Sequence, residues 1–195
     1  MKFIVGALAF AMIPAGLAQS SRVVGQERNP NQPDVAEFTL TPVRQYTSLK
    51  DLVEDSDLVV EGDVAQVLAA RETNPHTHSL ATDMLFKTIR VLKGANLTQV
   101  LVFQNGGSLG VYQRIPKQFH LMKEGEHYIL FLTRDRHQTP SPTYGSLYEI
   151  TGGWPGLFKV NHGQLELSPA THPDLQNRYE GKAASTLLSD IKGLQ

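Results

Sequence analysis

From Glu126 to Thr133 the chain reads Glu-His-Tyr-Ile-Leu-Phe-Leu-Thr, the most apolar run beyond the first twenty residues. It is too short for an ordinary helix. Its aromatic and β-branched content suits a strand buried on both faces. Lys123-Glu124-Gly125 before it signals a turn, and Arg134-Asp135-Arg136 returns the chain to water.

Most other segments alternate with period two. Leu58 to Leu68 places Leu58, Val60, Val64 and Leu68 on one face and Glu61 and Asp63 on the other, a strand with one wet side. Short strands are predicted at Glu37 to Thr41, Val100 to Gln104, Leu109 to Gln113 and Tyr144 to Ile150. Phe158-Lys159-Val160 and Leu165-Glu166-Leu167 flank Asn161-His162-Gly163-Gln164 as a hairpin. Arg71 to Leu80, His137 to Tyr144 and Ser168 to Lys182 read as polar loops, and Gly152 to Gly156 as a tight bend.

Two segments carry a helical period. Ser48, with Asp51 three residues on, resembles a capping box ahead of Leu49, Leu52 and Val53, and that helix stops near Ser56. Ala184, Leu187, Leu188 and Ile191 form the apolar stripe of a C-terminal helix. Thr82 to Gly94 fits either structure. Met84, Leu85, Thr88, Ile89 and Leu92 suit a helix, whereas Phe86, Thr88, Ile89 and Val91 suit a strand. Six to eight short strands with a helix before and a helix after suggest a small closed β-barrel, since closure removes exposed strand edges.

The first residues change the picture of where the chain works. Met1-Lys2, an apolar run from Phe3 to Ala18 and the small residues of Gly16-Leu17-Ala18 form a secretory signal. The expected division is a signal peptide over 1–18, a flexible leader over 19–34 and a single β-barrel domain over 35–195. The leader reading rests on Asn29-Pro30-Asn31-Gln32-Pro33 and little apolar content. Export to the periplasm or the extracellular space follows, with no membrane span after cleavage. The 195 residues contain no cysteine, so neither disulfide stapling nor a lipidated cysteine is open. Net charge is -1 without a long basic run, which argues against phosphate-driven nucleic-acid binding.

Asp57-Leu58-Val59-Val60-Glu61-Gly62-Asp63-Val64, then Phe86 through Gly94, then Val100-Leu101-Val102-Phe103 and Lys123 through Phe131, resembles the strand order of netrin-like modules and tissue inhibitors of metalloproteinases. The order is also similar to a group of exported bacterial proteins with Gly-Gly after the corresponding strand, here Gly106-Gly107. The resemblance covers about Ser48 to Leu167. It implies a mainly β fold, a small closed barrel of the oligonucleotide/oligosaccharide-binding (OB) type, with one short helix before it and one C-terminal helix. It also favours a strand for Thr82 to Gly94. Those inhibitors place a disulfide-bonded N-terminal cysteine on the target's zinc, which a chain without cysteine cannot do.

Candidate chemistry is sparse. Gly106-Gly107-Ser108-Leu109-Gly110 matches the Gly-x-Ser-x-Gly nucleophile elbow, but Val111 to Pro116 does not read as the helix an elbow needs. His76 and His78 are spaced to point the same way on an extended segment, as metal ligands can. His120, His127, His137, His162 and His172 are scattered, and surface positions account for them more simply. Trp154 either stacks on a ligand or plugs a barrel end. Two functional classes follow. One is an exported, non-catalytic binding module for a protein or envelope partner, with no metal, no cofactor and no catalytic residue. Its ligand-binding residues would be Asn105, Gly106, Gly107 and Trp154, because glycine loops on a rigid scaffold admit close approach. The other is a serine hydrolase using Ser108.

Overall fold

The computed structural model describes residues 32–40, 44–136 and 141–194. The expected signal peptide (1–18) and all but the last three residues of the expected leader (19–34) lie outside them, as does His137. Residues from Pro33 onward belong to one compact unit.

The fold is mainly β. The strands are β1 (Asp34–Phe38), β2 (Leu58–Asn74), β3 (Ser79–Lys93), β4 (Gln99–Asn105), β5 (Gly107–Leu109), β6 (Tyr112–Pro116), β7 (His127–Arg134), β8 (Leu147–Ile150), β9 (Leu157–Asn161) and β10 (Gln164–Leu167). The helices are α1 (Leu49–Asp55), α2 (Pro173–Tyr179) and α3 (Ala184–Lys192), with a 3-10 turn at Trp154–Gly156. A seven-stranded sheet runs β10-β9-β7-β2-β3-β4-β8, and a three-stranded sheet runs β1-β6-β5. In the larger sheet β8 also pairs with β7, so the pairings β7–β2–β3–β4–β8 return to β7. Of these five pairings only β4–β8 is parallel. No helix among the described residues is long and apolar enough to cross a membrane.

The apolar run at 126–133 becomes β7, and its burial on both faces has a specific cause. Ile129 and Phe131 point into a core shared with α1, α2 and α3. Tyr128, Leu130 and Leu132 point into a second core, shared with β2, β3 and β4. A strand serving two cores keeps no wet side, and each large side chain so buried stabilises the fold by about 1.5–3 kcal/mol. β2 is divided in the same way. Val59 belongs to the helix-covered core, whereas Leu58, Val60 and Val64 belong to the other.

Of Thr82 to Gly94, all but Gly94 lies in β3, and the helical period is overridden by pairing with β2 on one side and β4 on the other. Ser48 caps α1, its Oγ accepting from the Asp51 amide at 3.1 Å. At the far end of α1, Lys93 Nζ donates to the carbonyls of Val53 and Glu54.

Four expectations need correction. Arg71 to Leu80 is not a loop: β2 and β3 extend into a long hairpin whose turn is Pro75 to His78, and register shifts let it bend. Leu109 to Gln113 is not one strand but the tip of a β5–β6 hairpin, turning at Gly110 and Val111. The first strand starts at Asp34, three residues ahead of Glu37, because β1 pairs in parallel with β6 from Asp34 onward. Ser168 to Lys182 contains α2, so the described residues hold three α-helices where two were expected. His172 accepts from the Asp174 amide as its N-cap, Pro173 opens it, and Leu175 and Tyr179 are buried.

Candidate functional site

β4 ends at Asn105 and the chain turns through Gly106 and Gly107 into β5. Both glycines have positive φ, +114° and +130°, where L side chains are strained. Both are buried. Gly106 donates its amide to Leu80 O at 2.7 Å, and its carbonyl accepts from Thr82 Oγ1 at 2.8 Å. A methyl on Gly107 would overlap Thr82 Oγ1 and stand 3.0 Å from Ala70 Cβ. The space above this glycine is thus filled by the chain itself, and only Asn105 is exposed.

Trp154 opens the 3-10 turn after Gly153, whose φ of +84° makes the sharp bend. Its side chain is turned inward and only 4% exposed. The ring lies 26° from parallel to Phe119 with centroids 6.3 Å apart. Packing, rather than an exposed anchor, is what the indole does here. Its Nε1 is buried without a hydrogen-bond partner, an arrangement that costs about 1–3 kcal/mol when nothing fills it.

The two loops meet. Asn105 and Gly153-Trp154 line one cavity of about 40 Å³, together with Leu40, Phe103, Gln104, Phe119, Glu149 and Ile150. Trp154 also borders a larger space of about 380 Å³, walled by Tyr46, Pro155, Pro169 and Pro173. Gln104 and Phe119 were not expected at the site. Gln104 left a signal, because it follows Val100 and Val102 on the buried face of β4, where a polar residue needs a reason. Phe119, in an irregular segment between β6 and β7, left none.

Ser108 sits in β5 opposite Gln113 and is exposed. A hairpin turn and β6 follow, so the strand–turn–helix of a nucleophile elbow is absent. Ser108 and His120 line a common cavity of about 240 Å³. No hydrogen bond joins them among the described residues. The other histidines have local work. His78 stacks on Tyr112 at 4.0 Å and contacts Glu72 at 2.8 Å. His127 lies 2.7 Å from Asp63 and 3.5 Å from Glu61. His76 and His162 occupy turns. Among the described residues no group of three or more His, Asp or Glu is arranged to hold a metal.

The strongest local electrostatics lie around Glu126. Its carboxylate accepts from Tyr128 Oη at 2.6 Å, Lys159 Nζ at 2.7 Å and the Lys123 amide at 2.8 Å. Burial alone would raise this carboxyl, but the three donors outweigh it and hold the group below its ordinary value. Burial, then Glu126, pushes the Tyr128 hydroxyl well up. Burial also pushes Tyr46 up to about 12, with the hydrogen bond to Asp55 adding to it. These groups join one strand or helix to the next: Glu126 ties β7 to Lys159 of β9, and Tyr46 meets Asp55 at the end of α1.

No protein-family model matches the chain, and no curated protein is significantly similar to it.

Proposed function

We propose that the protein is an exported, non-catalytic binding module whose body is a closed OB-type barrel of the netrin-like kind. The returning pairings β7–β2–β3–β4–β8–β7 support closure, since five strands paired in a cycle leave no free edge between them. The observation that carries the functional reading is the cavity where the Asn105 and Trp154 loops meet, a recess with polar groups, apolar walls and no nucleophile–base pair. Asn105 is its exposed contact, Trp154 its wall, and Gly106 and Gly107 fix the loop's shape. The partner is a protein or envelope component met outside the cytoplasm, and neither nucleic acid nor a cofactor is involved. Export rests on the n-region, apolar core and small-residue cleavage site of residues 1–18, and N-terminal sequencing of the exported protein should begin near Gln19.

The test is capture of a partner from the exported fraction, followed by its affinity for wild type and Asn105→Ala with melting temperatures alongside. Binding lost at unchanged stability supports the module. Binding that ignores Asn105 places recognition elsewhere. The competing serine hydrolase reading has in its favour the Gly-x-Ser-x-Gly match at residues 106–110 and the cavity that Ser108 and His120 share.

A further inference from the structure

β1 borders the three-stranded sheet with β6 on one side only. The pairing is parallel, and in a parallel ladder alternate residues bond to the same neighbour. The Asp34 N–H donates to Val111 O at 2.6 Å, and Phe38 O accepts from the Lys117 N–H at 3.0 Å. Asp34, Ala36 and Phe38 therefore commit their backbone groups to β6. Val35 and Glu37 turn theirs the other way, where no strand pairs with them among the described residues. Both residues are exposed, Val35 at 51%. Alternating N–H and C=O groups at strand spacing are complemented best by the main chain of another extended segment.

An open cavity of about 320 Å³ adjoins the same strand. It is walled by Ala36, Phe38, Leu40 and Leu80, and no residue of β5 belongs to it. Arg114 is the charged residue of its lining and is already engaged, donating to Asp34 O at 2.9 Å. Ala36, Phe38 and Leu40 stay only half-buried, so an apolar side chain placed there would cover surface that the chain itself leaves wet. A second copy of β1 fits poorly. Two β1 strands paired antiparallel through Val35 and Glu37 would set Phe38 against Asp34 or Gln32 of the other copy, a polar group where the wall is apolar. The register that brings Phe38 opposite Ala36 sets Glu37 directly against Glu37. A foreign strand avoids both conflicts, and beside Glu37 it is better served by a basic residue than by an acidic one. We propose that the open edge of β1 receives an extended peptide segment of another protein. It adds as a fourth strand to this sheet, with a large apolar side chain in the cavity beside Ala36 and Phe38 and a basic residue facing Glu37. This surface shares only Leu40 and Asn105 with the recess beside Trp154.

The probe is a short capped peptide that alternates leucine with threonine and carries one lysine, titrated into the full ¹⁵N-labelled chain. Saturable binding is expected, with the Val35 and Glu37 amides protected from hydrogen exchange by at least about tenfold. Methylating the peptide nitrogens that face the edge should cut affinity by about tenfold, the worth of one hydrogen bond, whereas methylating the alternate nitrogens should cost far less. Replacing the leucines by alanine should weaken binding by about tenfold or more, because the cavity is then left unfilled. Val35→Pro removes one outward N–H and no bond to β6, a change that an edge strand tolerates. The variant should fold and bind the peptide about tenfold more weakly. If it does not fold, the methylated peptides decide the matter on the wild-type chain. Four outcomes overturn the proposal. They are a peptide that fails to bind or leaves the Val35 and Glu37 amides unprotected, methylation equally harmless on both sets of nitrogens, undiminished affinity in folded Val35→Pro, and a concentration-dependent dimer that Val35→Pro abolishes, which would assign the edge to a second copy instead.

Discussion

Replacing Gly107 by alanine tests whether the Gly-Gly loop is filled by the protein's own chain or open to a partner. The added methyl overlaps Thr82 Oγ1 and stands 3.0 Å from Ala70 Cβ. Thr82 cannot yield freely, because it is buried and its hydroxyl is committed to Gly106 O at 2.8 Å. Overpacking of this kind costs about 1–3 kcal/mol. The backbone at φ +130° adds about 1–3 kcal/mol for a residue with a side chain. The lower entropy of the unfolded alanine chain returns about 0.4–1 kcal/mol. A net loss of about 3 kcal/mol is expected, or roughly 6–12 °C in melting temperature for a domain of this size. Gly110→Ala is the control. Its φ is +58° and nothing lies within 4 Å of the added carbon, so strain of about 1–2 kcal/mol is the whole cost. Urea unfolding of the two variants measures the difference. If Gly107→Ala is no less stable than Gly110→Ala, the packing described for this loop is wrong and the glycines are available to a ligand.

Ser108→Ala should leave stability unchanged within about 0.5 kcal/mol, as exposed positions do, and a fluorophosphonate should label neither form; stoichiometric labelling of Ser108 in wild type would instead establish the hydrolase. Ser48→Ala should cost about 1 kcal/mol in urea unfolding through loss of the α1 cap, and Ser48→Asp should restore most of it. Glu126 and Asp190 are both held below their ordinary values, Glu126 against the opposing effect of burial and Asp190 first by the Tyr179 hydroxyl and then by Arg178. As pH falls below about 4.5, Glu126's ordinary value, the unfolded chain takes up protons before the native one, so stability declines there, and Glu126→Gln should flatten that decline. At the alkaline end the sign reverses. Tyr46 ionises near 10.0 when unfolded but near 12 when folded, so stability is full below pH 10 and is lost between 10 and 12; Tyr46→Phe should reduce the slope.

Much of the strand pattern was legible because burial imposes it. The run at 126–133 announced a doubly buried strand, and Ser48 with Asp51 announced α1. The long arms of the β2–β3 hairpin were hidden for the opposite reason. From Arg71 to Asn74 the side chains are partly or fully exposed, so the backbone ladder holds them extended without an apolar signal. α2 was hidden because its seven residues bury only Leu175 and Tyr179, too few for a period. The expected ligand contacts Asn105 and Trp154 were read from sequence as separate loops, and their shared cavity was not legible, since it depends on β4 and β8 lying side by side. The reading of glycines as openings failed to anticipate Thr82, a residue 25 positions away from Gly107 that fills the space.

β8 has four residues, yet the cycle of pairings closes through it, by three register pairs with β4 and three with β7. The β2–β3 hairpin can zip from its own turn, whereas the β4 and β8 partners are separated by about 46 residues and meet only after that loop is closed. The β2–β7 partners lie farther apart still, by about 64 to 74 residues, whereas β7 and β8 are near neighbours in sequence; the local hairpin is thus expected early and the long-range β2–β7 and β4–β8 pairings after it. β8 is the shortest strand of the cycle, held by three register pairs on each side, so the amides of Leu147 to Ile150 should exchange with solvent ahead of those of β7. Glu149 and Ile150 belong both to that joint and to the cavity beside Trp154, so any loosening of the cycle's shortest strand would be felt first at the wall of its recess.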